Sequence, residues 1–381
     1  MQAYLDNSAT TRPTDGVIEA VARAMREDFY NPSSLYAPAM ISEKQMNLCR
    51  DKIRKALHAA DARVIFTSGG TEANNLALFG SIGAMRPPYR AAVSAVEHPS
   101  VLEASQRLEE MGCEVFRIPV NEAGELDYDA LASFLQGGAS LVSCMQVNNE
   151  TGAKTDVARL SRLVRALAPD ARLHVDGVQG FLREEIDFRL IDMYTLSGHK
   201  IHAPKGVGAL VVRRNLRLKS THVGGGQEEM YRSGTENTPG IAGLSEAIDE
   251  MRKLTDRHEM LMSRKLRLVE KMREAVPGLL INGPKPEDGA AHIVNFSFPG
   301  VRGEVMLHAL EEAGVYASTG SACSSRKRHV SAVLTAMGIP ADRAEWALRF
   351  SLCPYTTEEE IDYAAKVAGE KYEILKKFQR R

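Results

Sequence analysis

Short runs of β-forming residues alternate with helical stretches from about residue 63 to residue 213, and this alternation constrains the fold more than any other feature of the chain. Seven such runs follow one another: RVIFTSG, AAVSAVEH, EVFRIPV, SLVSCMQVNNE, RLHVDGVQ, DMYTLSGHK and GALVVRR. Strands that are connected by helices predict an α/β fold with a mostly parallel sheet, covered by helices on both faces. In such sheets, ligands bind beyond the carboxyl ends of the strands.

The pattern changes after a helical stretch that spans roughly residues 239 to 276. The segments HIVNFSF, GVYAST and WALRFSL indicate strands, GEVMLHALEEAG and VSAVLTAMG indicate helices between them, and a final helix starts at about residue 357. A chain of 381 residues is also too long for one ordinary core. We therefore predict a large domain at residues 15–250 and a smaller α/β domain formed by residues 1–14 and 251–381.

Charge and cysteine content argue against several classes of protein. The formal net charge of -1 gives no reason to expect a nucleic acid or a membrane as a partner, and no apolar run approaches the length of a transmembrane helix. The five cysteines are scattered, odd in number and without a C-x-x-C pair, so a disulfide framework is not expected. The N-terminus lacks the basic and apolar regions of a signal peptide. These features predict a soluble, cytoplasmic protein.

One lysine stands where its charge is hard to solvate. In the segment LSGHKIHAPKGVGAL, Lys200 follows an apolar run that reads as a buried strand and precedes another such run. Either its ammonium group has a buried partner, or its pKa is lowered and the amine takes part in chemistry.

Other polar residues follow the ends of neighbouring predicted strands, and each allows two interpretations. Gly70 and Thr71 belong to a glycine-rich turn before a helix, which suits either a phosphate group or a simple N-cap. Asp176 ends its strand, and it either pairs with a protonated aromatic ring nitrogen or caps the next turn. His98 is either a hydrogen-bonded rim residue or a catalytic group.

The residues around the lysine complete this pattern. Ser197 and His199 are candidate donors to a phosphate, whereas His199 and His202 lack a third ligand at a usable spacing, so no metal site is predicted. A lysine amine, an aspartate and a helix N-terminus together describe one ligand, pyridoxal 5'-phosphate, which carries an aldehyde, a protonated ring nitrogen and a phosphate.

At this point the sequence resembles the cysteine desulfurases, members of the aminotransferase class V group of pyridoxal-phosphate enzymes of fold type I. The resemblance covers essentially the whole chain, and its motifs occur in the order of the family. It implies a large domain with a mixed, mostly parallel seven-stranded sheet and a smaller α/β C-terminal domain. The motifs are YLDNSATT, TSGGTEANNLAL, EHPSV, VNNETG, HVDGVQ, SGHKIHAPKGVGAL, GGGQE, RSGTEN, STGSACSS and LRFSL.

The resemblance also implies roles for individual residues. Lys200 would join the cofactor's aldehyde as an imine and later remove the substrate's Cα proton, Asp176 would pair with the pyridine nitrogen, and His98 would stack on the ring. Arg349 in LRFSL would bind the substrate carboxylate. Asn149 and Gln179 would contact the phenolic oxygen side of the cofactor, and Asn149 would also lie near the substrate. The implied phosphate contacts are Gly70, Thr71, Ser197 and His199. Thr235 of RSGTEN would contact the phosphate of a neighbouring subunit, which predicts a homodimer.

Cys323, in the Gly/Ser-rich segment STGSACSS, distinguishes the desulfurases from their relatives. Its surroundings alone would favour a small buried side chain, whereas the resemblance implies an exposed nucleophile. The implied reaction converts L-cysteine to L-alanine and leaves the sulfur as a persulfide on Cys323, with His98 handling the proton of the substrate thiol. The sulfur would then pass to an acceptor protein for iron–sulfur cluster, thio-cofactor or tRNA biosynthesis.

Two other classes of function compete with this interpretation. Another class V enzyme, such as a selenocysteine lyase, an aminotransferase or a kynureninase-like lyase, would share Lys200 and Asp176. A non-catalytic scaffold or regulator that keeps the cofactor fold is the second, and the joint presence of Lys200, Asp176, His98 and Cys323 counts against it.

The chain departs from the family pattern at two places. The segment SSRKRHVSAVL lacks the glycine and proline that often follow the cysteine in the family. The letters EEMY replace an arginine- and glycine-rich link before RSGTEN. The second departure falls at the expected dimer edge rather than among the residues that would carry the chemistry.

Overall fold

The structure is a computed structural model, and it describes residues 1–319 and 330–378. Its strands are β1 (Ala3–Tyr4), β2 (Arg63–Thr67), β3 (Arg90–Ser94), β4 (Glu114–Ile118), β5 (Leu141–Met145), β6 (Arg172–Asp176), β7 (Met193–Ser197), β8 (Gly208–Val212), β9 (Leu280–Asn282), β10 (Ile293–Ser297), β11 (Val315–Tyr316) and β12 (Ala347–Ser351). Its helices are α1 (Asp15–Arg26), α2 (Ala37–Ala56), α3 (Gly70–Gly83), α4 (Pro99–Glu110), α5 (Tyr128–Leu135), α6 (Val157–Leu167), α7 (Thr238–Lys253), α8 (Arg257–Ala275), α9 (Gly303–Glu312), α10 (Ala332–Ala336), α11 (Ala341–Glu345) and α12 (Glu358–Leu375).

The seven predicted runs form one seven-stranded sheet in the described part of the chain, in the order β2-β8-β7-β6-β5-β3-β4. The pairs β7–β6, β6–β5, β5–β3 and β3–β4 are parallel. β8 runs antiparallel to both β7 and β2. The prediction of a mixed, mostly parallel α/β sheet is therefore confirmed.

Helices cover both faces of this sheet because successive strand residues point to opposite sides. In β2, Val64 and Phe66 join a core that includes residues of α2, α6 and α7, whereas Ile65 joins a second core with α3 and α4. The inner strands β5, β7 and β8 are buried along their whole length, as expected for strands with helices on each side, whereas the edge strand β4 is only partly buried. Among the described residues, no helix combines the length and the apolar character that crossing a membrane requires.

The C-terminal part of the chain has its own strands and its own core. β10 pairs antiparallel with β9 and β12, and β1 pairs parallel with β11. Residues of α8, α9 and α12 pack with these strands around Phe296, Phe298 and Phe350. The segments HIVNFSF, GVYAST and WALRFSL thus contain the strands that the sequence predicts. The boundaries of the two predicted domains stay predictions, because strand pairing alone does not define them.

The EEMY segment adopts an unusual backbone. Glu228, Glu229 and Met230 all have φ between 48° and 68°, a region in which side chains other than glycine are strained. The buried Glu228 side chain anchors this turn, since its carboxylate accepts hydrogen bonds from Arg50 Nη2 at 2.7 Å and from the Phe66 backbone at 2.9 Å. Phe66 lies on the edge strand β2, so the carboxylate satisfies a backbone N–H that the sheet leaves unpaired.

Candidate active site

Lys200 lies in a short 3₁₀ turn directly after β7, at the carboxyl edge of the sheet. Its Nζ donates to the backbone oxygens of Ser8 at 2.7 Å and Ala9 at 2.8 Å. Burial, followed by the positive charges of Arg349 and Arg183, lowers the pKa of this amine to about 8. The ammonium group thus has buried partners and its pKa is lowered, whereas the part of Lys200 in the chemistry stays a prediction.

The lowered pKa of Lys200 leads to a testable prediction about how the reactivity of its amine depends on pH. In protein free of bound ligand, we expect a small acetylating reagent to modify Lys200 with a midpoint near pH 8, because the neutral amine is favoured above its pKa of about 8. A fully solvated lysine amine would show its midpoint above pH 10. Peptide mass spectrometry across a pH series measures this, and a midpoint above pH 10 for Lys200 would contradict the lowered pKa.

Asp176, the last residue of β6, is buried beside this lysine. Its Oδ2 accepts a hydrogen bond from Asn74 Nδ2 at 2.7 Å, and its Oδ1 accepts one from the Val178 backbone at 2.9 Å. The second bond is the turn cap that the sequence offered as an alternative. The negative charge of Asp176, after that of Asp6, also favours the protonated form of Lys200.

His98 caps the N-terminus of α4, after β3. Its Nδ1 accepts a hydrogen bond from the Ser100 backbone at 3.1 Å and lies 2.8 Å from Ser100 Oγ. Burial lowers the pKa of the imidazole, Asp176 opposes that effect, and Lys200 adds to it. The structure thus brings Lys200, Asp176 and His98, which come from three different strand ends, into one site.

The glycine-rich turn before α3 lies against the same turn after β7. Gly69 has φ 154° and ψ -173°, a combination that suits only glycine. A Cβ on Gly69 would lie 3.8 Å from Ser197 Oγ, and a Cβ on Gly70 would lie 2.8 Å from Val178 Cγ2. Gly70 therefore lets the backbone lie close to Val178, just after β6, and Gly69 lies beside Ser197, at the N-terminus of a helix, which is a suitable place for an anion.

Two further candidates lie beside this turn. His199 Nδ1 is 3.1 Å from Thr10 Oγ1, and burial, followed by the charges of Lys200 and Lys205, lowers the pKa of His199 to about 4. Its ring is therefore neutral near pH 7 and can donate a hydrogen bond without adding charge. Thr71, in the first turn of α3, is exposed.

Gln179, Asn149 and Arg349 approach the site from its other side. Gln179 Nε2 donates to the Ser8 backbone oxygen at 3.0 Å. Arg349, on β12, donates to the Asn149 backbone oxygen at 2.9 Å and to Asp6 Oδ1 at 2.6 Å. Within the described residues, Arg349 Nε and Asn149 Oδ1 are buried and have no hydrogen-bond partner. A fixed guanidinium group and an unused amide oxygen are therefore available to a ligand.

Two candidate residues stay outside this arrangement. Thr235 is exposed on this chain, and its predicted contact belongs to a second subunit, so its role stays a prediction. Cys323 lies outside the described residues, as does the basic run that follows it. Among the residues that are described, no group of three or more histidine, cysteine, aspartate or glutamate side chains could hold a metal ion.

Sequence reasoning missed two parts of the site. The segment from Asp6 to Thr11 supplies the oxygens that bind Lys200, and Thr11 also bonds to the His199 backbone oxygen at 3.0 Å. Arg183 donates through Nη2 to the Lys200 backbone oxygen and through Nη1 to Gln179 Oε1 at 3.3 Å. The motif YLDNSATT marks the first part in the sequence, but no pattern places it against a lysine that lies about 190 positions away.

The carboxyl edge of this α/β sheet carries a buried lysine with a lowered pKa, an aspartate and a histidine. This combination defines a class of enzyme that holds an aldehyde cofactor on lysine. The family model described as "Aminotransferase class-V" matches residues 3–364. The chain belongs to the aminotransferase class-V family.

Within this family, the similar proteins are cysteine desulfurases and their structural relatives. A curated protein from Nostoc named "Cysteine desulfurase" is 37% identical over 380 residues, which cover 98% of this chain and 93% of that protein. A solved structure described as "NifS-like protein" has a TM-score of 0.91 and 31% identity, and the match covers 98% of this chain and 100% of the other. A structure described as "SspA in complex with cysteine" has a TM-score of 0.81 and 29% identity, covering 93% and 100%. The predicted resemblance to the cysteine desulfurases is confirmed.

Proposed function

We propose that this protein is a cysteine desulfurase, an enzyme that uses pyridoxal 5'-phosphate to convert L-cysteine to L-alanine and transfers the sulfur to an acceptor. The observation that carries the proposal is the position of Lys200, buried with a pKa of about 8 and acted on by the charge of Asp176, in a chain of this family. The curated relative named cysteine desulfurase and the neighbour that was solved with cysteine support the choice of substrate.

The residues of the site fit the cofactor. A side chain at Gly70 would collide with Val178, and Gly69 adopts a backbone conformation that suits only glycine, so the N-terminus of α3 is left as bare backbone beside Ser197, which suits a phosphate group. The unused Asn149 oxygen and the Asp176 carboxylate suit a polar ring that carries a protonated nitrogen. The proposed contacts are Asp176 at the ring nitrogen, His98 at the ring face, Asn149 and Gln179 at the phenolic oxygen, Gly70, Thr71, Ser197 and His199 at the phosphate, and Thr235 at the phosphate of a partner subunit.

When bound, the pyridoxal group acts as an electron sink that makes the Cα proton of an attached amino acid acidic. The chain supplies the groups that use this property. With a pKa of about 8, Lys200 has roughly a tenth of its amine neutral at pH 7 and can accept a proton at Nζ. The buried carboxylate of Asp176 would hold a proton on a ring nitrogen of the bound cofactor by its charge, with little competition from water.

Arg349 binds the substrate carboxylate in this proposal. Its side chain is only 5% exposed, and Asp6 and the Asn149 backbone fix its orientation. Because the guanidinium group is already held in place, little conformational entropy is lost when it binds a second carboxylate. Cys323, which lies outside the described residues, is the proposed acceptor of the sulfur.

Replacement of Arg349 tests the substrate-binding part of the proposal. We expect Arg349→Lys to raise the KM for L-cysteine by about 10- to 100-fold, with a smaller effect on kcat, because one charge-assisted, two-pronged contact to the carboxylate is lost. Steady-state kinetics measure both constants. Arg343→Lys is the matched control, since Arg343 is bonded to Asn282 Oδ1 at 2.7 Å in the C-terminal core, and equal KM values for the two variants would contradict the role of Arg349.

The proposed reaction is tested by its products. Purified protein is incubated with pyridoxal 5'-phosphate, L-cysteine and a dithiol reductant, and we expect alanine and sulfide in equal amounts. A protein that stays colourless after the cofactor is added would contradict the enzyme proposal. Amino transfer to a keto acid without release of sulfide would instead support the aminotransferase alternative, and turnover of selenocysteine alone would support a selenocysteine lyase.

We further infer that the enzyme is a cytoplasmic homodimer that passes sulfur to an acceptor protein. α1 and α2 expose large apolar side chains, among them Met25, Met40 and Leu48, and such exposed side chains support a protein interface in this part of the chain. The four described cysteines, Cys49, Cys113, Cys144 and Cys353, are free thiols, which is consistent with a reducing compartment. Iron–sulfur scaffolds and thiolation relays are the classes of acceptor that the proposed chemistry serves.

A further inference from the structure

A row of hydrogen bonds joins the carboxylate of Asp176 to the imidazole of His98. The amide nitrogen of Asn74, on α3, donates to Asp176 Oδ2 at 2.7 Å and to Ser100 Oγ at 2.8 Å. Ser100 Oγ lies 2.8 Å from His98 Nδ1. Asn74 is 1% exposed and Ser100 is 8% exposed, so water does not compete strongly for these bonds. The row Asp176–Asn74–Ser100–His98 is therefore continuous.

The chemistry of the groups gives the row a direction. A carboxylate only accepts hydrogen bonds, so the amide nitrogen of Asn74, and not its oxygen, must face Asp176. The second hydrogen of the same nitrogen then points to Ser100 Oγ, which accepts it. The hydroxyl hydrogen of Ser100 is left to bond to His98 Nδ1. Each donor in the row thus has an acceptor, in the order from Asn74 to Ser100 to His98.

The same direction fixes where the proton of His98 resides. The backbone N–H of Ser100 also points to His98 Nδ1, at 3.1 Å, so two donors converge on that nitrogen. A ring nitrogen that accepts hydrogen bonds carries no hydrogen, and a neutral imidazole has one N–H. The hydrogen must therefore be on Nε2, at the ring edge opposite Ser100.

We propose that Asn74 and Ser100 are positioning residues, which connect His98 to Asp176 and hold its neutral ring with the hydrogen on Nε2. The inference rests on the proposed function in one respect, that His98 serves the desulfurase reaction. In this arrangement, the neutral imidazole presents its Nε2–H to the reacting groups as a hydrogen-bond donor. Before Nε2 can accept a proton from the substrate thiol, it must first give up its own.

Two charged groups act on His98 from neighbouring elements. Asp176, at the end of β6, favours the protonated ring, and Lys200, after β7, disfavours it. Ser100 acts in the same sense as Lys200, because a donor to Nδ1 stabilises only the neutral ring. Loss of the Ser100 hydroxyl should therefore raise the pKa of His98, whether or not Lys200 is charged.

The first experiment reads the tautomer directly. The holoenzyme is labelled with ¹⁵N in its histidines, and the His98 signals are assigned as those absent from His98→Gln. We expect Nδ1 to have the chemical shift of an unprotonated ring nitrogen and Nε2 to show an attached hydrogen near neutral pH. A hydrogen on Nδ1 would overturn the proposal. The measurement needs no turnover, so a protein that has the Nε2 tautomer but releases no sulfide would contradict only the proposed function.

The second experiment tests the coupling through the row. We expect Ser100→Ala to raise the pKa of His98 by about half a unit to one unit and to lower kcat/KM by about tenfold, the effect of one hydrogen bond. We expect Asn74→Leu to raise the same pKa, although Asn74 has no hydrogen bond to His98, since the bond from Asn74 no longer orients the Ser100 hydroxyl as a donor to Nδ1 and the hydroxyl can turn to accept from a protonated Nδ1. Ser100→Thr keeps the hydroxyl and should restore the pKa.

Matched controls separate this coupling from general damage. Ser105, on the same helix as Ser100, is fully buried and donates to the Leu102 backbone oxygen at 2.7 Å. Asn75, next to Asn74, donates to the Thr71 backbone oxygen at 2.8 Å. Ser105→Ala and Asn75→Leu should leave the pKa of His98 unchanged. If Ser100→Ala and Ser105→Ala give the same His98 titration, the row does not act on His98 and the proposal fails.

Discussion

Lys200→Ala should abolish the conversion of L-cysteine to L-alanine, with a fall in kcat of at least about 10⁴-fold, and should remove the absorbance of covalently held cofactor. The variant loses the buried amine on which the charge of Asp176 acts. The nearby Arg349 and Arg183 cannot replace it, because a guanidinium group does not lose its proton at physiological pH. Absorbance spectra and an alanine assay on the purified variant measure the two losses.

The control for this variant is Lys205→Ala. Lys205 is exposed and lies five positions further along the chain, so its removal takes away a nearby positive charge without taking away the buried amine. We expect it to keep the cofactor absorbance and most of the activity. If Lys200→Ala kept both covalently held cofactor and turnover, the assignment of the reactive amine would be wrong.

Cys323→Ser should reduce sulfide release by at least about 10³-fold, the scale of loss when a nucleophile is removed, while cofactor absorbance stays unchanged. A serine hydroxyl is far less nucleophilic than a thiolate near neutral pH, and it cannot form a persulfide. The two effects are read separately, by sulfide assay and by absorbance. Retained cofactor together with lost sulfur transfer would assign Cys323 to the transfer step alone.

The described cysteines are poor substitutes for Cys323. Burial raises the pKa of Cys49 to about 12 and that of Cys113 to about 11, and it raises the pKa of Cys144 and Cys353 as well. Their thiolates are therefore scarce near neutral pH. Cys113→Ser is the matched control and should keep full sulfide release. Equal activity of Cys323→Ser and Cys113→Ser would show that another group accepts the sulfur.

The sheet could be predicted from the sequence because the signal is local. Each of the runs from RVIFTSG to GALVVRR carries its own apolar pattern over five to eight residues, and the helices between them force mostly parallel neighbours. The antiparallel direction of β8 was not predictable in this way. The short segment between β7 and β8 does not contain a long crossover helix, and only the complete sheet shows that β8 lies between β7 and the edge strand β2.

The site was predictable in its residue types and less so in its geometry. Lys200, Asp176 and His98 all follow strand ends, and the topology of a parallel sheet brings strand ends together. Arg183 was missed, although it follows Gln179 by only four positions, because its contact with the Lys200 backbone oxygen depends on how two loops meet. Asn74 and Ser100 were present in the motifs TEANNLAL and EHPSV, but nothing in those letters indicates a bond between them.

The sequence by itself determined the α/β class and the order of the strands along the chain, since these depend on periodicity within a few residues, and it predicts the reactive groups from their residue types. Only the tertiary structure decided the protonation of Lys200 and the orientation of the His98 ring. The partner of Lys200 at Ser8 is 192 positions away, and the row from His98 to Asp176 crosses three segments of the chain. Burial and the direction of hydrogen bonds are properties of the assembled site, so no local pattern can specify them.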